Sequence, residues 1–287
     1  MGAIYRRELK SLFCGMVAPV FIAFVLLMTG VVSSNVNFSG TYPQFEYVVP
    51  TVAYIFLLVV PILTMRSFSE EKANKTDQLL YSLPVSTFSV VAGKFLAMVT
   101  VLLTACAGMC IYPPILSIYG DVYMPSSYLA ILAFFLMGCA FIAIGMFIST
   151  LSESQVISAV VTIGLFLILY LIENVSSQIP TTALASFLLF IALCAIAAVV
   201  IYLLTKSSVI AAAVGAVLII GVSVVYFVNS SLFEGAFANM LNSLNLFTKM
   251  YNFMYGIFDL KVIVYYLSVI GLFGFLTVQS FDKKRWN

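Results

Sequence analysis

Long apolar runs alternate with short polar stretches along almost the whole chain. Eight runs stand out: 17–34, 48–65, 95–119, 128–151, 156–172, 183–205, 209–228 and 261–280. Predominantly apolar segments of this length cross a bilayer as helices. Turn-forming stretches separate them. SSNVNFSGTYPQFE follows the first run, YGDVYMPSS the third, LSESQ the fourth and ENVSSQIPTT the fifth, and TKSS divides the sixth from the seventh. Three segments carry a different, amphipathic pattern. Residues 4–14 predict a helix in the membrane interface, with Ile4, Leu9, Leu12 and Phe13 toward lipid and Arg6, Arg7 and Lys10 toward headgroups. Within the 66–94 loop, Phe68, Lys72, Lys75, Thr76, Leu79, Leu80 and Leu83 recur at helical spacing and predict a short helix over 67–83. Ser67 or Ser69 would cap it, Glu70 and Glu71 lie near its positive N-terminal end, and Pro84 stops it. In 229–260, Phe233, Phe237, Leu241, Leu244, Phe247, Tyr251, Met254 and Phe258 follow nearly helical steps among polar residues. That pattern predicts short amphipathic helices at the membrane surface before the last span.

Composition agrees with a chain built against lipid. Of its 287 residues, 63% are hydrophobic and 8% charged, against about 25% charged in soluble domains. A formal charge of +2 is too small to suggest nucleic-acid binding. The placement of charge says more. With the N-terminus inside, eleven Lys and Arg fall on the cytoplasmic side, and only Lys249 and Lys261 fall outside. This is a strong positive-inside asymmetry, and it puts both termini in the cytoplasm. The pair 183–228 is read as two crossings or as a re-entrant hairpin. Lys206 at its tip favours full crossing, since a Lys at bilayer depth is costly. Both counts keep the orientation.

The chemistry that is missing narrows the function. There is no His, hence no imidazole base and no ordinary zinc site. There is no G-x-x-x-x-G-K-[ST]; Gly93-Lys94 lacks the upstream Gly and the following hydroxyl. No expected span carries an ionisable residue in its middle, as ion-coupled carriers require. Cys106 and Cys110 share a helix face, yet no His or acid lies beside them, and they read as small packing residues. No catalytic, cofactor-binding or metal-binding residue is expected. Energy for any uphill transport would come from a partner.

The stretch RSFSEEKANKTDQLLYSLPVSTFSVVAGKF resembles the loop after the second span in ABC-2 type permeases. That loop has an Arg-hydroxyl start, an acidic-basic run, a Gly-Thr-x-Glu-like step, LL, a Pro, and Gly-Lys entering the third span. Here Lys75-Thr76-Asp77-Gln78 occupies the step, with Lys where Gly is common. The tail LNLFTKMYNFMYGIFDLKVIVYYLSVIGLFGFLTVQSFDKKRW resembles the gliding-motility (GldF-like) branch of these permeases, and YRRELKSLF resembles the family's interfacial helix. The resemblance implies an all-α integral membrane protein with an ABC-2 (type V exporter-like) permease core of six transmembrane helices. It implies an N-terminal interfacial helix and a cytoplasmic coupling helix, with 183–228 expected as an additional helix pair, for about eight spans in one domain. It implies two permease copies, identical or homologous, over two ATPase subunits that carry ATP and Mg. Residues Glu70, Glu71, Lys72, Lys75, Thr76, Asp77, Leu79 and Leu80 would form the ATPase-docking surface, and Arg6, Arg7 and Glu153 a secondary contact.

Substrate contact is expected at the seam of spans one, two and five, with Tyr54, Phe56, Phe166 and Tyr170 as candidates, although aromatics in spans more often only pack. Two functions fit. One is an exporter permease driven by a separate ATPase. The other is a non-transporting, ATPase-driven mechanotransmission or envelope-remodelling subunit with an extracytoplasmic partner, which the tail's resemblance raises. Alanine or charge-reversal changes at Glu71 and Asp77 are expected to uncouple ATP hydrolysis while leaving folding intact.

Overall fold

A computed structural model describes residues 1–38, 44–75, 86–205 and 208–286. Among them every regular element is helical. The helices are α1 (Gly2–Cys14), α2 (Val17–Ser33), α3 (Val48–Ala53), α4 (Phe56–Thr64), α5 (Arg66–Ala73), α6 (Thr87–Met109), α7 (Tyr112–Leu116), α8 (Met124–Leu151), α9 (Gln155–Gln178), α10 (Ala183–Thr205), α11 (Ser208–Val228), α12 (Ala236–Leu244), α13 (Leu246–Met254) and α14 (Leu260–Trp286). A π-helical turn, Ser34–Phe38, extends α2, and 3₁₀ turns cover Phe45–Tyr47 and Ser230–Phe233. Among the described residues, five helices are long and apolar enough to cross a membrane, or up to seven if each of two bent pairs counts as one span. The chain is a multi-pass membrane protein.

The contacts divide into two compact units, Met1–Leu167 with Lys249–Asn287, and Ile168–Thr248. In the first unit α8 is the central post: 78% of its span is buried, against 17–39% of the other four long spans. It packs against α4, α5, α6 and α14. Glycine sets one of these approaches. A Cβ on Gly145 would lie 2.4 Å from Thr64 Oγ1, so only Gly lets α4 come this close to α8. Rings fill the rest of the core: Phe56 lies tilted against Phe134 with centroids 4.3 Å apart, and Phe141 meets Phe166 edge-on at 4.5 Å. In the second unit α10 and α11 form an antiparallel-type hairpin in which a Cβ on Gly215 would come within 2.9 Å of Ala198 Cβ. Phe187, Phe190, Tyr226, Phe233 and Phe237 close its base as a ring cluster.

Several element bounds differ from the expected ones. The 48–65 run is not one straight helix: α3 and α4–α5 are bent by 56° at Tyr54–Ile55. There Ile55 N–H bonds Val52 at i−3, and Pro61, inside α4, has no N–H to donate. The third span starts at Thr87 rather than 95, capped by Ser86, whose Oγ accepts from Ser89 N–H. The expected 67–83 helix is seen as α5, which continues directly from α4 with neither Ser67 nor Ser69 as a cap. It ends at Ala73; Thr76, Asp77, Leu79 and Leu80 lie outside the described residues, as does Lys206.

Candidate functional site

α5 is short and polar, yet two of its eight residues are fully buried. Its sequence explains this. Phe68 and Ser69 face inward, at 1% and 0% exposure, beside the C-terminal end of α8. Ser149 of α8 receives both of their backbone N–H groups on its hydroxyl oxygen, each at 3.1 Å, and donates to Met65 O. Ser69 also hydrogen-bonds Met65 O. Phe68 packs on Phe281 of α14, with ring centroids 5.5 Å apart. Lys72 reaches the last turn of α8, donating to Thr150 O and to Ser152 O. An ammonium there satisfies carbonyls that the helix end leaves unpaired and faces the negative end of its dipole.

The other side of α5 carries an ion cluster. Lys94 of α6 is 3% exposed. Its ammonium lies 2.9 Å from Glu71 Oε1, 3.3 Å from Glu8 Oε1 and 2.8 Å from the Ser67 carbonyl, and 5.2 Å from the centre of the Phe68 ring. Arg7 bridges the same two carboxylates from outside, at 3.1 Å to Glu71 and 3.4 Å to Glu8. Two cations and two acids balance. A buried Lys is tolerated only when paired in this way. The cluster joins three helices, α1, α5 and α6. Gly93 lets α1 approach, because a Cβ there would meet Ile4 Cγ2 at 3.1 Å. Tyr5 hydroxyl pairs with Thr100 hydroxyl at 3.0 Å along the same seam. Part of the α1 face expected to touch lipid therefore packs on α6.

The C-terminal end of α14 lies at this same end of the bundle. Thr87 donates to Asp282, and Thr150 to Ser280 at 3.1 Å. Glu153 is exposed in the turn after α8, next to the carbonyl that Lys72 reaches. So Arg6, Arg7, Glu71, Lys72 and Glu153 are brought to one end of the unit, as are the exposed residues Asn74 and Lys75. Lys75 has φ +55, the left-handed conformation that Gly adopts freely. Lys stands where the resemblance has Gly, and the backbone keeps the Gly-like shape.

The aromatic candidates separate. Phe56 and Phe166 are fully buried in the ring stack of the core and serve packing. Tyr54 hydroxyl meets Tyr251 hydroxyl at 3.3 Å. Tyr170, in the second unit, packs edge-on against Phe247. Lys94 and Glu8 complete the ion cluster, and neither was among the expected site residues. The signal was present: Lys94 sits eight residues into α6, in an otherwise apolar run that demands a partner for it.

A family model described as ABC-2 family transporter protein matches residues 28–182, more than half of the chain. No curated protein and no solved structure matches. The matched stretch holds Glu71, Lys72, Lys94 and Ser149, and it stops just before the α10–α11 hairpin. By that match and its helical, multi-span architecture, the chain belongs to the ABC-2 family of transporter proteins.

Proposed function

We propose that this permease subunit of an ABC transporter exports its substrate using ATP hydrolysed, with Mg, on a separate ATPase chain that docks at α5 and the residues after it. The observation that carries this is the three-helix ion cluster. It fastens α5 to α1 and α6 while Ser149 and Lys72 fasten it to α8, so a push on α5 has no slack before it reaches the spans. The positive-inside asymmetry supports placing this end, with both termini, in the cytoplasm. In this reading α2, α3–α4, α6, α8, α9 and α14 make the six-span core, α10 and α11 add a pair, and a second permease copy completes the complex. Lys75, Thr76, Asp77, Leu79 and Leu80 would meet the ATPase, with Arg6 and Glu153 at the margin. Glu71 holds the chain's own cations and is a positioning residue rather than part of that surface.

The test is purification of the intact complex followed by ATPase assay in proteoliposomes. A nucleotide-hydrolysing chain is expected to co-purify. Asp77→Lys and Glu153→Lys are expected to lower substrate-stimulated hydrolysis while the permease stays monodisperse. Absence of any ATPase, or full stimulation in both variants, would overturn the proposal.

A further inference from the structure

An apolar groove of about 480 Å³ runs between α2 and α4 in the first unit, with Ile163 of α9 at its edge. Phe21, Phe24, Leu58 and Ile62 supply its walls, and Arg66 is the charged residue that lines it. At that end the α1–α2 elbow turns sharply, with Met16 at φ +61. The groove adjoins a polar pocket of about 250 Å³ that shares Gly15, Val17, Leu63 and Arg66 with it and adds Glu8, Ser11, Ser67, Glu70 and Lys94. An apolar channel ending in a small charged chamber fits an amphiphile with a compact head.

The charges of the chamber say which head. Glu8 and Lys94 are committed to the ion cluster, with Arg7 and Glu71. Arg66 and Glu70 remain, and neither side chain has a hydrogen bond or ion pair among the described residues. They stand one turn apart on α5, with Cβ atoms about 5–6 Å apart and Arg on the N-terminal side, the weaker order for pairing with each other. One free cation and one free acid at that spacing match a zwitterion. We propose that this is a phospholipid site: an acyl chain lies along the groove, the phosphate sits on the Arg66 guanidinium, and the ammonium of an ethanolamine headgroup sits on Glu70. A guanidinium fork takes phosphate oxygens in pairs, and its place at the edge of the spans draws lipid headgroups. The groove lies on the seam of spans one, two and five where substrate contact is expected, so the inference names a lipid for that seam; it rests on the multi-pass membrane assignment and not on ATPase docking.

The experiment uses the full-length protein, purified in detergent and equilibrated with phosphatidylethanolamine, phosphatidylglycerol or phosphatidylcholine, with bound lipid counted by native mass spectrometry. Wild type is expected to retain one phosphatidylethanolamine about fivefold better than phosphatidylglycerol. Arg66→Ala lowers retention of every phospholipid by about fivefold, and Glu70→Gln removes only the preference for the ethanolamine head. Leu58→Trp fills the groove from a half-exposed position and lowers retention of all three without unfolding the protein. A photoactivatable phosphatidylethanolamine labels 17–24 and 58–66. The proposal is overturned if the variants retain lipid like wild type or if the label maps elsewhere. It is equally overturned if Leu58→Trp disrupts self-association while lipid retention stays unchanged, which would make the groove an interface between copies.

Discussion

Replacing Lys94 by Met keeps the length of the side chain and removes its charge. The ammonium holds two carboxylates and a carbonyl within 3.3 Å, and is 3% exposed, whereas Glu71 and Glu8 are 12% and 18% exposed. Deleting one partner of a buried ion pair costs about 3–5 kcal/mol, because the remaining charge stays desolvated. Here Arg7 still touches both acids from the outside, which moves the expected loss to the low end, about 3 kcal/mol. Glu71→Gln alone should cost about 2 kcal/mol, since Lys94 keeps Glu8 and the Ser67 carbonyl. The double variant leaves Arg7 with Glu8 as a balanced surface pair and is expected to lose less than the sum, with a coupling of about 2 kcal/mol. Arg7→Ala, at a side chain 66% exposed, should cost under about 1 kcal/mol. The assay is reversible unfolding in mixed micelles, read as a double-mutant cycle. A Lys94→Met loss under 1 kcal/mol, or additivity of the two single changes, would refute the claim that this cluster holds the three helices together. The cycle also bears on the expected uncoupling by charge reversal at Glu71: such a change acts on the fold first, so uncoupling is better sought at Asp77.

Further expectations follow from single contacts. Ser149→Ala removes the acceptor of two buried N–H groups on α5 and should cost about 1–3 kcal/mol in the same unfolding assay, with hydrogen exchange rising at Phe68 and Ser69. Lys75→Gly should raise stability by under about 1 kcal/mol, because Gly takes φ +55 without the side-chain penalty but adds entropy to the unfolded chain, while Lys75→Val should lower it. Gly93→Leu places its side chain against Ile4 and should release α1, seen as proteolytic cleavage within 2–14 that wild type resists, with the remaining spans intact.

The polar and apolar pattern carried most of the helical layout, because lipid forces backbone hydrogen bonding to close within each span and leaves a length signal in the sequence. The ends of α8, α10 and α11 fall within a few residues of the expected bounds. The exceptions have local causes. The start of α6 moved to Thr87 because Ser86 caps it, and the second apolar run broke at Tyr54–Ile55, where 3₁₀ bonding replaces the helical ladder ahead of Pro61. The candidate site was legible only in outline. Its charged residues were visible, but Glu71 was read as facing a partner when it faces Lys94, and Phe56 and Phe166, only candidates for the path, fill the core.

By itself, the sequence determined that this is a multi-span helical membrane protein that carries no G-x-x-x-x-G-K-[ST] motif. Those properties depend on residue type and on spacing along the chain. Only the tertiary structure decided which charges neutralise one another. Glu8, Glu71 and Lys94 belong to three helices, and an ion pair forms where packing brings side chains within a few ångströms, a distance that helical period does not encode. The approach of α1 through Gly93 and the bracing of α5 by Ser149 leave Arg66 and Glu70 as the charges beside the groove without a partner among the described residues.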